Sequence, residues 1–521
     1  MDEVALLGVL LVGVVALTPA ADRLRIPQPV LLTIFGLTVA LIPLSPDLEL
    51  DPDVILPLVL PPLLFAATQR ATAREFRDHA GAVFFLAVGL TLASAGAVAV
   101  VAHQFGLTWW TALMLGAIVS PPDPVAATAV ARRLRLPHRM VTILEGEGMF
   151  NDATALVAFK VTLAAVVTGN VSGGDIGGEL VLAVVVGTLL GLLLGFVAKA
   201  ALSVIHDGYS ETTLTVLVPF LAYIGAERLH GSGVLAVLAL GLYLRTYGHA
   251  ATSSQGWLLG RSVWSYADFL VTSLVFTILG YELVKVLDRT NVSRHSIALA
   301  TIVVLVLVVV RFSWVFAGSW VGRQRSRRRD EMWPQGWRES AVVSWAGMRG
   351  VVTVAATLAL PELVDGGVPF PNRDQIVVVA LVVVLATLVL QGLTLAPLTR
   401  RLGVGRADDD SAEVAGLRRR ATEAALEHLH GDALNGVLDD VSRAALLQYD
   451  GYLAAQEAMT QARQLGDGEE SGRDQLRSVL ERATDVERAL VLDARRRGQV
   501  SPASADEVLR DIEARALRAF E

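Results

Sequence analysis

The chain contains no cysteine, which excludes disulfides, thiolate metal sites and iron–sulfur clusters. Charged residues make up only 18% of its 521 residues, and only three of the 44 basic residues are lysine. A glycine-rich phosphate-binding loop of the Walker type is also missing from the sequence. These absences argue against redox centres and nucleotide hydrolysis, and no nucleophile–base pair suggests an enzyme.

Apolar residues dominate instead. They form 53% of the chain, and the mean hydropathy of +0.53 is too high for a soluble globular protein. The apolar character ends near residue 405: residues 1–406 carry a net charge of +2 and residues 407–521 carry −9. We therefore predict a transmembrane domain over 1–405 and a soluble, helical, cytoplasmic tail over 406–521. The predicted fold class is an all-α membrane protein.

Thirteen apolar segments of spanning length can be marked in the first region. The N-terminus has no basic stretch before the first of them, so we interpret that segment as a span rather than a cleaved signal peptide. With the N-terminus outside, the inner loops carry 19 basic residues and the outer loops five. The positive-inside rule then places the C-terminus in the cytoplasm. We expect a multi-pass protein of the plasma membrane, which in a bacterium is the cell inner membrane. The segments are 4–21, 29–45, 53–69, 80–102, 109–131, 139–168, 177–202, 211–228, 232–248, 264–284, 295–321, 339–360 and 375–398.

Two spans carry sequences that interrupt a helix at depth. Span 5 contains Ser120-Pro-Pro-Asp-Pro124, where proline removes backbone donors and disfavours helix before it. Span 12 contains Gly347-Met-Arg-Gly350 at similar depth. Broken backbone inside a membrane is tolerated where it is buried in protein or lines a polar cavity, and paired breaks in two halves of a chain indicate a transporter site. We predict two inverted repeats, spans 1–6 and 8–13, whose broken helices cross in mid-membrane.

Span 6 is rich in polar side chains, and each charge there costs roughly 2.5 kcal/mol or more unless it has a partner or a function. At about 100° per residue, Glu145 and Asp152 lie within roughly 20° of each other, and Glu147 and Asn151 within roughly 40°. Asp152 is the predicted carrier, because a carboxylate in such a cavity can bind either a proton or a cation. Asn151 and the span 5 residue Asp123 are the further predicted ligands, and for Asp123 a helix-capping role alone remains open. Ser120, Pro122, Gly148 and Glu145 are predicted to surround the site, with a purely structural role also open for Glu145.

Span 12 adds Arg349, an opposite charge that we predict to form a structural salt bridge with Glu147. The oxygen-rich constellation around Asp152 fits the exchange of a monovalent cation for a proton. A cation channel or sensor with a signalling tail and an organic-ion symporter are the alternatives. A channel would favour repeated rings of ligands, and a symporter a larger cavity, whereas the sequence offers one asymmetric site.

Three motifs carry a resemblance to a known family. They are Gly116-Ala-Ile-Val-Ser-Pro-Pro-Asp-Pro-Val-Ala-Ala, Glu145-Gly-Glu-Gly-Met-Phe-Asn-Asp-Ala-Thr-Ala-Leu and Gly347-Met-Arg-Gly-Val-Val. In that order the chain resembles the bacterial sodium/proton antiporters of the monovalent cation:proton antiporter-1 family, over about 400 residues. The resemblance implies a thirteen-helix inverted-repeat fold and a homodimer with an elevator-like movement. Asp152 would then be the shared site for the metal ion and the proton.

The resemblance also implies electroneutral exchange, because Asn151 stands where electrogenic relatives have a second aspartate. Three positions depart from patterns in the family: Gly148 replaces a serine, and Ala66 and Pro122 replace an acidic residue and a threonine of some archaeal members. Fewer side-chain oxygens therefore remain to set cation selectivity. The expected partners are sodium (alternatively potassium), protons, the bilayer and a second copy, with no resident cofactor and no nucleic acid.

Overall fold

The computed structural model divides the chain into two compact units, Met1–Ala407 and Asp408–Glu521. In the first unit it describes residues 3–24, 26–42, 52–69, 84–123, 138–168, 173–248, 251–289, 294–325, 336–364 and 367–404, with isolated residues between these ranges. In the second unit it describes short stretches between 419 and 508, which are helical apart from a turn at Arg497. An exposed i,i+4 ion pair between Arg419 and Glu423, 2.7 Å apart, lies on one of these stretches.

The first unit is helical wherever it is described, apart from turns, two broken-helix segments and a small hairpin. Its helices, numbered here in chain order, are α1 (Glu3–Leu24), α2 (Gln28–Ala40), α3 (Pro52–Thr68), α4 (Phe85–Gln104, π-helical over Phe85–Leu90), α5 (Trp109–Val119), α6 (His138–Thr168) and α7 (Gly173–Leu202). They continue as α8 (Gly208–Arg228), α9 (Gly233–Tyr247), α10 (Ser254–Arg289), α11 (Arg294–Arg325), α12 (Trp337–Trp345), α13 (Val351–Leu358) and α14 (Arg373–Leu402). The strands β1 (Leu363–Val364) and β2 (Val368–Pro369) pair antiparallel between α13 and α14.

Polar caps explain where several helices begin. The Thr108 side chain accepts from Thr111 N–H before α5, and Ser232 accepts from Leu235 N–H before α9. Before α8, the Asp207 carboxylate accepts from the N–H and the hydroxyl of Ser210, each at 2.9 Å. These hydrogen bonds lower the pKa of Asp207 from its ordinary value, because they favour the ionised cap.

Within the described residues, every predicted span contains a helix or a pair of helices. Six helices within the described residues are long and apolar enough to cross a membrane, and five shorter apolar helices accompany them. The predicted all-α membrane fold is therefore confirmed. The second half of span 5, residues 124–131, lies outside the described residues apart from the buried Ala127.

The helices pack as two groups. α4, α5, α6 and α11–α14 contact mainly one another, and we call them the crossing group. α1–α3 and α7–α10 likewise contact mainly one another and form the flanking group. Each group takes corresponding spans from the two predicted halves: spans 4–6 and 11–13 in the crossing group, and spans 1–3 and 8–10 in the flanking group. Fewer contacts, chiefly of α2, α3 and α10 with α13 and α14, join the two groups.

Candidate functional site

The two predicted interruptions lie against each other. α5 ends at Val119, and residues 120–123 are not helical. α12 ends at Trp345, and the chain stays non-helical until α13 begins at Val351. The N–H of Asp123 donates to the carbonyl of Met348 at 2.6 Å, so the two broken segments cross in contact. Both interruptions predicted from the sequence are therefore present.

Each break supplies the charge that the other break's helix end requires. The Asp123 carboxylate accepts from Val351 N–H at 3.3 Å, at the positive N-terminus of α13. In the opposite sense, Arg349 donates to the carbonyls of Val119 at 3.0 Å and Ser120 at 3.4 Å, at the negative C-terminus of α5. Unpaired helix-end groups carry roughly half a unit charge, so these reciprocal contacts stabilise both ends inside the protein. Asp123 thus caps a helix of the other half of the chain.

The salt bridge of Glu147 has a different partner from the one predicted. Arg311 of α11 donates to both oxygens of the Glu147 carboxylate, at 2.5 and 3.0 Å, and each side chain is only 2% exposed. Arg349 is close enough to Glu147 to interact with it electrostatically, but it forms no ion pair with it among the described residues, and its guanidinium donates to carbonyls, including that of Gly347. The predicted Glu147–Arg349 pair is therefore wrong. The available signal was Arg311 itself, an arginine that follows the long apolar run of span 11.

Glycine at position 347 makes room for this pair. A Cβ built on Gly347 would meet the side chain of Arg311. The Arg311 guanidinium also donates to the carbonyl of Val343 in α12, at 3.2 and 3.3 Å. The ion pair therefore connects α6, α11 and α12 within the crossing group.

Asn151 and Asp152 on α6 complete the site. The Asn151 side chain is fully buried, its Nδ2 donates to the carbonyl of Pro122 at 3.0 Å, and its Oδ1 has no hydrogen-bond partner. Asp152 is half-buried, and its carboxylate makes no hydrogen bond or ion pair with any residue that the structure describes. Asp123 is close enough to interact electrostatically with Asp152. The structure therefore brings Asp123, Asn151 and Asp152 together at the crossing.

The surrounding residues differ in what they offer a cation. The Ser120 hydroxyl donates to Ala117 O at 3.2 Å, and the Pro122 carbonyl already accepts from Asn151. Gly148 and Ala66 are buried, and Glu145 is half-buried. Two further buried oxygens without hydrogen-bond partners lie on the helices that follow the second break and were not predicted: Thr353 Oγ1 on α13 and Gln391 Oε1 on α14. Gln391 lies one helical turn beyond Thr387, whose hydroxyl accepts from the N–H of Arg349 at 3.2 Å.

Comparison with known proteins assigns the chain to a family. The family model described as "Sodium/hydrogen exchanger, transmembrane" matches residues 9–401. The chain belongs to this family. It is accordingly a multi-pass membrane transporter of the cation/proton antiporter class, and the resemblance of its three motifs is confirmed.

Curated relatives agree with the assignment. An uncharacterized Na⁺/H⁺ exchanger of Mycobacterium tuberculosis is 32% identical over 447 residues, covering 85% of this chain and 80% of the relative. The Na⁺/H⁺ antiporter ApNhaP of Aphanothece halophytica is 30% identical over 426 residues, covering 80% and 78%. The sodium, potassium, lithium and rubidium/H⁺ antiporter of Bacillus subtilis is 28% identical over 474 residues, covering 86% and 69%.

A solved structure supports the fold. The sodium proton antiporter MjNhaP1 from Methanocaldococcus jannaschii matches with a TM-score of 0.61, covering 77% of this chain and 98% of that one. At 20% sequence identity this likeness shows the fold alone.

Proposed function

We propose that this exchanger-family protein exchanges sodium for protons, one for one, and that Asp152 carries either the cation or the proton. The observation that carries the proposal is that two neighbouring oxygen-bearing side chains on α6 lack hydrogen-bond partners. The Asp152 carboxylate and Asn151 Oδ1 have no hydrogen-bond partners among the described residues, although both lie on α6 beside the crossing. A buried polar atom without a partner is costly in a fold, so the buried Asn151 Oδ1 beside the Asp152 carboxylate supports a bound ligand there.

The oxygen types suit a small, hard cation. Such ions bind carboxylate, amide and backbone carbonyl oxygens, and all three occur here. Asn151 is held in place because its Nδ2 donates to Pro122 O, which leaves Oδ1 as the free acceptor. A proton and a cation bound to the same Asp152 carboxylate exclude each other, and that competition couples the two fluxes.

The other buried charges are held by fixed partners. Glu147 is paired with Arg311, and Arg349 donates to backbone carbonyls. Asp123 accepts from the N-terminus of α13. These contacts favour structural roles for Glu147, Arg311 and Arg349, and a supporting role for Asp123 beside the carrier.

Proton flux in proteoliposomes tests the proposal, with sodium, potassium and lithium gradients imposed in turn. We expect a sodium gradient to drive proton movement in the opposite direction, and Asp152→Asn vesicles to show none. Vesicles of the native chain in which none of the three cations moves protons would overturn the proposal.

Potassium is the second candidate substrate. The Bacillus relatives are named as antiporters of sodium, potassium, lithium and rubidium, and this chain resembles them over 86% of its length. The departures at Gly148 and Pro122 leave few side-chain ligands to discriminate by size. A potassium-driven flux as large as the sodium-driven flux in the same vesicles would favour a broad cation/proton antiporter.

Orientation and assembly belong to the same proposal. The excess of arginine in one set of loops supports an outer N-terminus, a cytoplasmic tail and a plasma-membrane location. Because the chain has no cysteine, one cysteine introduced near residue 430 should react with a membrane-impermeant maleimide only after the cells are opened. We also infer a homodimer, which light scattering of the purified protein tests. A mass of one protein copy would contradict it.

A further inference from the structure

One ion pair connects the two helix groups directly. Lys160 of α6, in the crossing group, pairs with Glu227 of α8, in the flanking group. The side chains are 29% and 35% exposed, so the pair lies at an edge of the group interface and not in its centre. The Glu147–Arg311 pair, in contrast, joins helices within one group.

Contacts within the flanking group fix the position of the Glu227 carboxylate. Glu227 Oε1 also accepts from the N–H of Gly233 at 2.8 Å, at the start of α9. The Lys160 ammonium lies 5.5 Å from the centre of the Tyr223 ring, a cation–π contact on the same helix as Glu227. A carboxylate fixed by a backbone donor and an aromatic face together form a receptor for one ammonium group.

Lys160 is mechanically linked to the candidate ion site. It lies eight residues beyond Asp152 on the continuous helix α6, about 12 Å along the axis at about 1.5 Å per residue. Any movement of α6 that carries Asp152 relative to α8 must therefore move the ammonium relative to Glu227. Alternating access in transporters of this kind is largely a movement of one helix bundle against another.

We propose that Lys160 is a positioning residue for exchange: its contact with Glu227 and Tyr223 latches the crossing group to the flanking group in one access state. The latch opens in every transport cycle. This inference rests on the proposed exchange function, since it concerns the movement that exchange requires. The pair should therefore affect the rate of turnover and leave the affinity for the cation unchanged.

Cross-linking tests whether the two residues separate. In the cysteine-free chain, Lys160→Cys with Glu227→Cys places thiols only at the latch. A short bis-methanethiosulfonate reagent should stop exchange in vesicles of this variant, and reduction should restore it. Full exchange in the cross-linked protein would overturn the latch. Failure of the native chain to exchange any cation would instead overturn the proposed function.

A matched control joins two helices of the same group. The hydroxyl oxygens of Ser319 on α11 and Ser340 on α12 are 3.1 Å apart, both within the crossing group. A disulfide between Ser319→Cys and Ser340→Cys should leave exchange running, because these helices move together. Arrest by this disulfide as well would show that cross-links stop the protein for reasons unrelated to the latch, and would overturn the inference.

Charge variants provide a second measurement. Lys160→Met should change the maximal exchange rate by roughly threefold or more while the half-saturating sodium concentration stays within about twofold, and Lys160→Arg should restore the native rate. Lys199→Met is the control, because Lys199 lies 5.8 Å from the Tyr247 ring centre on helices of one group, α7 and α9. Equal effects of Lys160→Met and Lys199→Met, or a change confined to the half-saturating concentration, would contradict the latch.

Discussion

At the scale of single residues, the crossing separates acids that are already engaged from one that is available. Glu147 accepts two hydrogen bonds from Arg311, and Asp123 accepts from the N-terminus of α13. Asp152 has no such contact with any described residue, although it lies beside them. A carboxylate in a fixed ion pair is poorly suited to alternate between proton and cation, whereas one without a fixed partner is free to do so.

The first prediction is that Asp152→Asn abolishes exchange without unfolding the protein, because asparagine is isosteric and no described contact is lost. Proton flux in vesicles and the thermal midpoint of the purified protein measure the two effects. Asp268→Asn on α10 is the control, since no function is assigned to Asp268, and it should retain exchange. Sodium-driven proton flux at the native rate in Asp152→Asn would remove Asp152 as the carrier.

The second prediction concerns the buried pair. Arg311→Met or Glu147→Gln alone should lower the free energy of unfolding by about 3–5 kcal/mol, because each leaves an unpaired group in the interior. The double variant should recover part of that loss. Combining Glu147→Gln with Arg349→Met should recover none, since Arg349 donates to carbonyls instead. Recovery with Arg349 and not with Arg311 would contradict the pairing.

At the scale of helices, the two broken segments contact each other through backbone groups and leave little space between them for side chains. The Asp123 N–H and carboxylate both contact the second break, at Met348 and Val351. A Cβ built on Gly350 would meet the Asp123 carboxylate. The lack of space beside the Asp123 carboxylate therefore requires a glycine at position 350.

The third prediction follows from this close approach. Gly350→Ala should push Asp123 away from the N-terminus of α13, lower the thermal midpoint and abolish exchange. Gly96→Ala on α4 is the control, because a Cβ built on Gly96 meets nothing within 4 Å and alanine favours a helix. Native exchange in Gly350→Ala would show that the crossing tolerates displacement of Asp123.

The helices illustrate what a sequence can and cannot predict here. Both breaks were predictable, because Pro121 and Pro122 remove backbone hydrogen-bond donors locally and Gly347 and Gly350 disfavour a continuous helix in span 12. The partner of Glu147 was not predictable in the same way. Arg311 and Arg349 are both buried arginines on other spans, and only the packing of α11 against α12 decides which reaches the carboxylate. Likewise, the capping of α13 by Asp123 joins residues more than two hundred positions apart.

At the scale of the whole protein, the two helix groups contribute different parts: one supplies the proposed ion ligands and the other the surface that faces them. Asn151 and Asp152 lie on α6 and Asp123 follows α5, so the proposed ligands all come from the crossing group or the break that follows it. The flanking group contributes the facing surface and, at Glu227 and Tyr223, the receptor for Lys160.

The last prediction is that exchange is electroneutral. Asp152 takes up one proton or one monovalent cation, so the loaded site has the same charge in both directions. Asn151 has no ionisable group, Glu147 is held in an ion pair by Arg311, and Lys160 lies about 12 Å along α6 from Asp152, so Asp152 is the proposed exchange site. In vesicles held at zero potential with valinomycin and potassium, sodium-driven proton flux should equal the flux at an imposed potential of either sign. Voltage-dependent flux, or a sustained sodium-dependent current, would refute the one-for-one ratio and indicate Asp123 or Glu145 as a second titrating group.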